Sequence, residues 1–84
     1  MVIDVYEKPG CQLCDAALEL LDEGRERFAF EVVRHNILAD RGLFEKYRYL
    51  VPVVVIGGIA RLSLRFDSQE LEAALRASQV PQRE

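Results

Sequence analysis

The sequence predicts an α/β fold in which helices flank a four-stranded mixed sheet, with the elements in the order β-α-β-α-β-β-α. Three observations support this order: β-rich segments at residues 2–6 and 28–34, a helical apolar stripe between them, and an apolar segment followed by Gly57-Gly58. The 84 residues are 50% hydrophobic and 30% charged, a composition typical of one globular domain. We expect that domain to cover residues 1–84.

The first half of the chain predicts two parallel strands joined by a helix. Residues 2–6 are β-rich and are followed by turn-forming residues at 7–10. From Cys11 the apolar residues recur at helical spacing until Gly24, a residue suited to a helix C-cap. Apolar residues alternate over residues 28–34, which predicts the second strand.

The second half predicts a short helix and a β-hairpin. Asp40 is a candidate cap for a helix whose apolar residues lie between positions 43 and 47. Residues 51–56 form an apolar strand, Gly57-Gly58 supply a two-residue turn, and residues 59–65 form the returning strand. This hairpin would supply the antiparallel half of the sheet.

A final helix follows the hairpin. Asp67 and Glu70 have the spacing of a capping box, and Phe66 with Leu71 has that of a hydrophobic staple. The helix is expected to end before Pro81.

Charge and hydropathy exclude several classes of function. Eleven basic residues stand against fourteen acidic ones, so the net charge of −3 offers no field for phosphate backbones, and we expect no nucleic-acid partner. The longest apolar run, residues 50–56, is far below the roughly 18 residues that cross a bilayer, which predicts no membrane span. Residues 1–6 lack the basic region and cleavage pattern of a secretion signal, so a cytoplasmic location is expected.

The only two cysteines, Cys11 and Cys14, carry the clearest chemistry in the sequence. A disulfide between them would close too few residues to act as a structural staple. A Cys-x-x-Cys pair directly after a strand, at the start of a helix, is typical of thiol–disulfide redox sites. The helix N-terminus favours a thiolate at Cys11, the expected nucleophile, and Cys14 one turn later is the expected resolving thiol.

The two cysteines have two other interpretations. Buried cysteines sometimes only pack a helix against a sheet, but Pro9-Gly10 and Gln12 favour exposure here. A zinc site needs about four ligands, and only Cys11, Cys14 and the distant His35 are natural candidates, so no metal is expected. His35 is interpreted as a surface or strand-end residue without a catalytic role.

Pro52 opens the most apolar strand and allows two interpretations. A proline donates no backbone hydrogen bond, so at a strand start it can leave neighbouring backbone groups free for an outside peptide, and its peptide bond can be cis. Alternatively, it merely begins the strand.

These motifs together resemble the glutaredoxin-like branch of the thioredoxin superfamily. The resemblance is carried by Tyr6-x-Lys8-Pro9-x-Cys11-x-x-Cys14 and by Val51-Pro52, in the order that the family shows, and covers nearly the whole chain. It implies a thioredoxin-like fold and a cis Pro52 beside the cysteines. It also implies that the backbone of Val51 binds the cysteine of a substrate or of glutathione. Lys8 would then meet the glycine carboxylate of glutathione.

The sequence departs from glutaredoxins that use glutathione. Gln12-Leu13 replaces the usual Pro-Tyr between the cysteines, Leu50 stands where threonine often precedes Val-Pro, and no Gly-Gly pair precedes the last helix. The segment 65–68 takes the place of those glycines. Asp67 and Ser68 remain candidates for the γ-glutamyl group of glutathione, although the capping box already accounts for both.

We therefore expect a monomeric oxidoreductase that reduces protein or small-molecule disulfides, with no tightly bound cofactor. Its electrons would come from glutathione or from a flavoprotein resembling thioredoxin reductase. Two alternatives stay open: an iron–sulfur carrier in which two chains hold a cluster through Cys11, and a redox-inactive thioredoxin-like interaction domain.

Overall fold

A computed structural model describes residues 1–84 and has the predicted order of elements. The strands are β1 (Val2–Glu7), β2 (Glu31–Asn36), β3 (Val53–Ile56) and β4 (Ala60–Ser63). The helices are α1 (Gln12–Gly24), α2 (Arg41–Tyr47) and α3 (Ser68–Ala77), with a short 3-10 helix at Ile37–Ala39. None of these helices is long and apolar enough to cross a membrane.

The sheet has the strand order β2-β1-β3-β4. Strand β1 pairs with β2 in parallel and with β3 antiparallel, and β4 completes the antiparallel half. The predicted α/β fold with a four-stranded mixed sheet is therefore confirmed.

The alternation of the central strands divides the buried residues between the two faces of the sheet. On one face, Ile3 and Val5 of β1 lie opposite Ile56 and Val54 of β3 and pack with residues of α1, α3 and the segment around Phe28. On the other face, Tyr6 lies opposite Val53. This second cluster includes residues of α2 and also contains both cysteines.

Side-chain N-caps explain where α2 and α3 begin. The Asp40 side chain accepts the Leu43 N–H at 3.0 Å at the start of α2. Asp67 and Glu70 form the reciprocal bonds of a capping box at the start of α3. Both predicted caps are confirmed, and α3 ends at Ala77, before Pro81.

The predicted bounds of three strands and the predicted C-cap of one helix were wrong. Strand β3 begins at Val53 and not at residue 51, because Pro52 has no N–H to donate to the ladder and Val51 makes no backbone hydrogen bond. Strand β2 begins at Glu31, because Phe28 forms a single bridge with Gln82 instead of pairing with β1. Helix α1 continues through Gly24 to a right-handed cap at Arg25, so no left-handed glycine ends it.

The hairpin also differs from its prediction at both ends of β4. Gly57 and Gly58 have positive φ, as predicted for a tight turn, but three residues separate the strands and β4 begins at Ala60. It ends at Ser63 because Leu64 adopts a left-handed conformation with φ 62°.

Candidate active site

Cys11 and Cys14 lie at the junction between β1 and α1. Cys11 is the N-cap of α1, with an extended backbone, and its Sγ accepts the Cys14 N–H at 3.1 Å. The preceding Gly10 has φ +73°, a conformation that glycine adopts without steric cost. The strand, this turn and the cap together set the first cysteine at the helix N-terminus.

The two sulfurs are joined in a disulfide across the first turn, with the Cα atoms 5.2 Å apart. The cysteines differ in accessibility, since Cys14 is 1% exposed whereas Cys11 is partly exposed. An attacking thiol must be reached by its substrate, and a resolving thiol needs only to reach its neighbour. The geometry therefore favours Cys11 for the first role and Cys14 for the second.

The segment before β3 lies against the cysteines. Val51 shares a buried cluster with Cys14 and with Tyr47 of α2, and Cys11 packs at the edge of that cluster. The Val51–Pro52 peptide bond is cis, and both residues are buried. The chain thus brings Val51-Pro52 and the two cysteines to one end of the sheet.

Val51 has a free backbone. It lies outside the strands, and neither its N–H nor its carbonyl oxygen takes part in a hydrogen bond within the chain. The carbonyls on both sides are satisfied, because the Leu64 N–H donates to Leu50 O at 3.2 Å and to Pro52 O at 3.0 Å. Buried backbone groups without partners are rare in folded proteins, so the free pair on Val51 is suited to an incoming backbone.

Charged residues at the carboxyl end of β1 leave one cation unpaired. The buried Glu7 carboxylate accepts two hydrogen bonds from Arg34, at 2.6 and 2.9 Å, and these bonds raise the pKa of Arg34 above its ordinary value. Lys8 is exposed and forms no ion pair. It lines a polar groove with Glu7, Arg34 and Asn36, so it is the available cation next to the loop that leads to Cys11.

The remaining two predicted site residues lie apart from the cysteines. Asp67 Oδ1 accepts the Glu70 N–H at 2.8 Å, while Asp67 N–H donates to the Glu70 carboxylate. Ser68 lines a groove between α1 and α3 that includes Phe28 and Leu71 but neither cysteine. The structure therefore places Val51 in one cluster with the cysteines and Pro52 next to it, but Asp67 and Ser68 lie outside that cluster.

Three features of this region were missed by the sequence analysis. Glu7 continues the buried alternation of Ile3 and Val5, and a carboxylate at such a position indicates a buried charge with a partner. His35 stacks on Tyr6, with ring centroids 4.6 Å apart, and its Nε2 lies 2.8 Å from Asp4 Oδ1.

The left-handed Leu64 was the third feature missed, because leucine carries no local signal for that conformation.

Tyr6 and Tyr47 form an aromatic cluster next to the site, and the pKa of Tyr6 is raised there. Tyr6 packs against Tyr47 with the ring centroids 4.8 Å apart. Burial, together with the negative charge of Asp4 and the neighbouring Tyr47, raises the pKa of Tyr6.

No group of three or more His, Cys, Asp or Glu side chains is arranged to hold a metal ion.

Comparison with solved structures finds the same fold elsewhere. A structural genomics target protein from X. campestris, solved by X-ray diffraction, is 35% identical, with a TM-score of 0.75 over 89% of this chain and 96% of that one. A thioredoxin from Plasmodium falciparum shares the fold at 9% identity, with a TM-score of 0.66 over 98% of this chain and 73% of that one.

Comparison of sequences finds relatives of similar length. Proteins named "Probable Thioredoxin" from Methanothermobacter thermautotrophicus and Methanothermobacter marburgensis are 30% and 32% identical, each over 87% of this chain and 89% of the relative. The thioredoxin-like fold and the Cys11–Cys14 pair at disulfide distance support a thiol–disulfide redox role. Residues 2–76 match the Glutaredoxin-like domain (DUF836), and the chain belongs to that family of the thioredoxin superfamily.

Proposed function

We propose that this protein is a thiol–disulfide oxidoreductase that reduces disulfides of proteins or small molecules. The proposal is carried by the position of the redox pair, with partly exposed Cys11 capping α1 and buried Cys14 one turn inside it. In the reduced protein the N-cap position favours the thiolate, since unpaired N–H groups and the helix dipole stabilise negative charge there.

The reaction consists of two exchange steps. The Cys11 thiolate attacks one sulfur of the substrate disulfide, so a Cys11–substrate bond forms and the other substrate sulfur leaves as a thiolate that takes up a proton. Cys14 then loses its proton and attacks Cys11 Sγ, which releases the second substrate thiolate and forms the Cys11–Cys14 disulfide. Two electrons have passed from the protein to the substrate.

Val51 would hold the substrate during both steps. Its free N–H and carbonyl can pair with the backbone on either side of the substrate cysteine, as an added strand pairs with a sheet edge. Lys8 would attract a substrate carboxylate beside the same loop.

A thiol donor must return the two electrons. Two glutathione molecules, oxidised to glutathione disulfide, or a flavoprotein resembling thioredoxin reductase would serve, which fits the reducing cytoplasm. We propose that glutathione is a weak donor. Asp67 is engaged in its capping box and Ser68 lies on another groove, so the γ-glutamyl end of glutathione would be poorly held. A protein partner spreads its contacts more widely, so the lack of this one binding site would weaken its binding less.

Substitution of each cysteine tests the mechanism. Cys11→Ser should abolish disulfide exchange, whereas Cys14→Ser should accumulate a mixed disulfide, because the nucleophile remains and the group that releases it is gone. Mass spectrometry after mixing with a disulfide substrate identifies the trapped species. Ala73→Ser, at an exposed position of α3, is the matched control and should keep wild-type turnover.

Three results would contradict the proposal. Faster alkylation of Cys14 than of Cys11 in the reduced protein would reverse the assigned roles. Equal activity of the wild type and Cys11→Ser would instead indicate an interaction domain with inactive cysteines. A brown, dimeric protein after anaerobic purification would support an iron–sulfur carrier.

A further inference from the structure

Leu64 combines a costly backbone conformation with an exposed apolar side chain. Its φ of 62° lies in the left-handed region, where a Cβ crowds the backbone and glycine or asparagine is favoured. Its side chain is 44% exposed, so burial in the core does not require a leucine at this position.

The other non-glycine residue with positive φ has an ordinary structural reason. Gln79 (φ 59°) follows the end of α3, and the N–H groups of Gln79 and Val80 bond back to carbonyls of its last turns. A left-handed residue commonly ends a helix in this way. Leu64 follows a strand, so helix termination does not explain it, and a strained residue beside an active site is a reason to look for function.

The Leu64 side chain lines an apolar groove next to the redox site. The groove has a volume of about 200 Å³ and is lined by residues of α1 and of the segment before α3: Leu13, Ala16, Ala17, Leu64, Arg65 and Phe66. Leu13 lies between the two cysteines, and the Leu64 N–H holds the carbonyls on either side of Val51. Through Leu13 and Leu64, the groove therefore adjoins the proposed substrate site.

The size and charge of the groove indicate what it would accept. It is smaller than the roughly 300–1,000 Å³ of typical small-molecule sites, which suits one side chain of a larger partner. Five of its six lining residues are apolar. Its only charged residue, Arg65, is exposed and forms no ion pair. An aliphatic side chain with a carboxylate nearby matches this lining.

We infer that the groove is a specificity pocket for a protein substrate, in which an aliphatic residue close to the substrate's disulfide cysteine contacts Leu64 and an acidic residue meets Arg65. This inference rests on the proposed disulfide reduction and names its substrate class. The backbone N–H of Leu64 holds the Val51 segment, and its side chain selects the substrate.

Disulfide-bonded peptides of systematically varied sequence test the pocket. In a peptide with glycines around its cysteine, leucine replaces glycine in turn at each of the two positions before the cysteine and the two after it. The rate of reduction of each peptide is divided by the rate for bis(2-hydroxyethyl) disulfide, which has no side chain for the groove. At one position the wild type should prefer leucine about tenfold, the scale expected for burying an aliphatic side chain. Leu64→Gly should lower that preference below about twofold, as should Leu64→Asn, which also tolerates positive φ.

Two further variants separate charge and backbone effects. Arg65→Gln should remove the preference for a neighbouring glutamate while leaving the leucine preference in place. Gln79→Gly relieves the same kind of backbone conformation outside the groove and should keep both preferences.

Three results would overturn the inference. A wild-type rate that is insensitive to leucine at every position would show that no side chain enters the groove. A preference that persists in both Leu64 variants would place the selection elsewhere. If bis(2-hydroxyethyl) disulfide is not reduced either, the proposed function itself fails, so the two failures are distinguishable.

Discussion

The left-handed backbone of Leu64 predicts that glycine will be more stabilising than alanine at this position. A non-glycine residue pays roughly 1–2 kcal/mol in that region, while glycine costs about 0.5–1 kcal/mol more unfolded-state entropy than alanine. The difference leaves Leu64→Gly about 0.5–1 kcal/mol more stable than Leu64→Ala. Both variants lose the side chain, which is 44% exposed, so each should also lose roughly 1 kcal/mol of partial burial.

Gln79 and Ala73 serve as controls for the comparison of glycine with alanine at residue 64. Gln79, with φ 59°, should also favour glycine over alanine. Ala73 lies at an exposed position within α3, and Ala73→Gly should instead cost about 1 kcal/mol. The glycine–alanine difference should thus change sign between the two left-handed sites and the helix.

Urea unfolding followed by circular dichroism, with every variant in the disulfide form, measures these differences. If Leu64→Ala is as stable as Leu64→Gly while Gln79 and Ala73 behave as expected, the backbone of residue 64 is not left-handed in solution. The side chain of Leu64 would then need no functional reason to offset a strained backbone.

Three further predictions concern the ion pair, the aromatic cluster and the electron donor. Arg34→Gln should lower the urea midpoint more than Glu7→Gln, because it leaves a buried carboxylate without a cation, and the opposite order would contradict the burial of Glu7. The raised pKa of Tyr6 means that its neutral form stabilises the fold, so the free energy of unfolding should fall as pH rises past about 10, and Tyr6→Phe should show a smaller decline. With glutathione and its reductase as the electron source, a glutathionylated small substrate should turn over slowly beside an ordinary glutaredoxin. Comparable turnover would show that the γ-glutamyl end is well held.

The helix starts that short-range sequence determines were predicted correctly. The Cys11 helix start and the Asp67–Glu70 capping box depend on residues within one helical turn, so their patterns are visible locally. The start of β2 depends on a distant partner. Phe28 and Phe30 alternate as a strand would, but Phe28 bridges to Gln82, near the other end of the sequence.

The substrate side of the candidate site has the same long-range origin. Val51 and Pro52 could be named from a short motif, but whether Val51 is free to bind depends on a hydrogen-bond donor many residues away. That donor, Leu64, carries no local signal of its conformation, since leucine is not a residue that favours positive φ. Sequence alone therefore identified the redox pair but missed the pocket beside it.

The hairpin register explains why Leu64 can hold the Val51 segment. Val53 pairs with Ser63 at the start of β3, so the next residue, Leu64, falls beside the chain that enters the strand. Its left-handed turn ends β4 and directs one N–H to the carbonyls of both Leu50 and Pro52. Because Leu64 bonds to Pro52, the alternation of an antiparallel ladder turns the backbone groups of the next residue, Val51, away from β4. The bonds of Leu64 therefore fix the two neighbours of Val51 while leaving Val51 itself unpaired, which is the arrangement that a strand-like substrate requires.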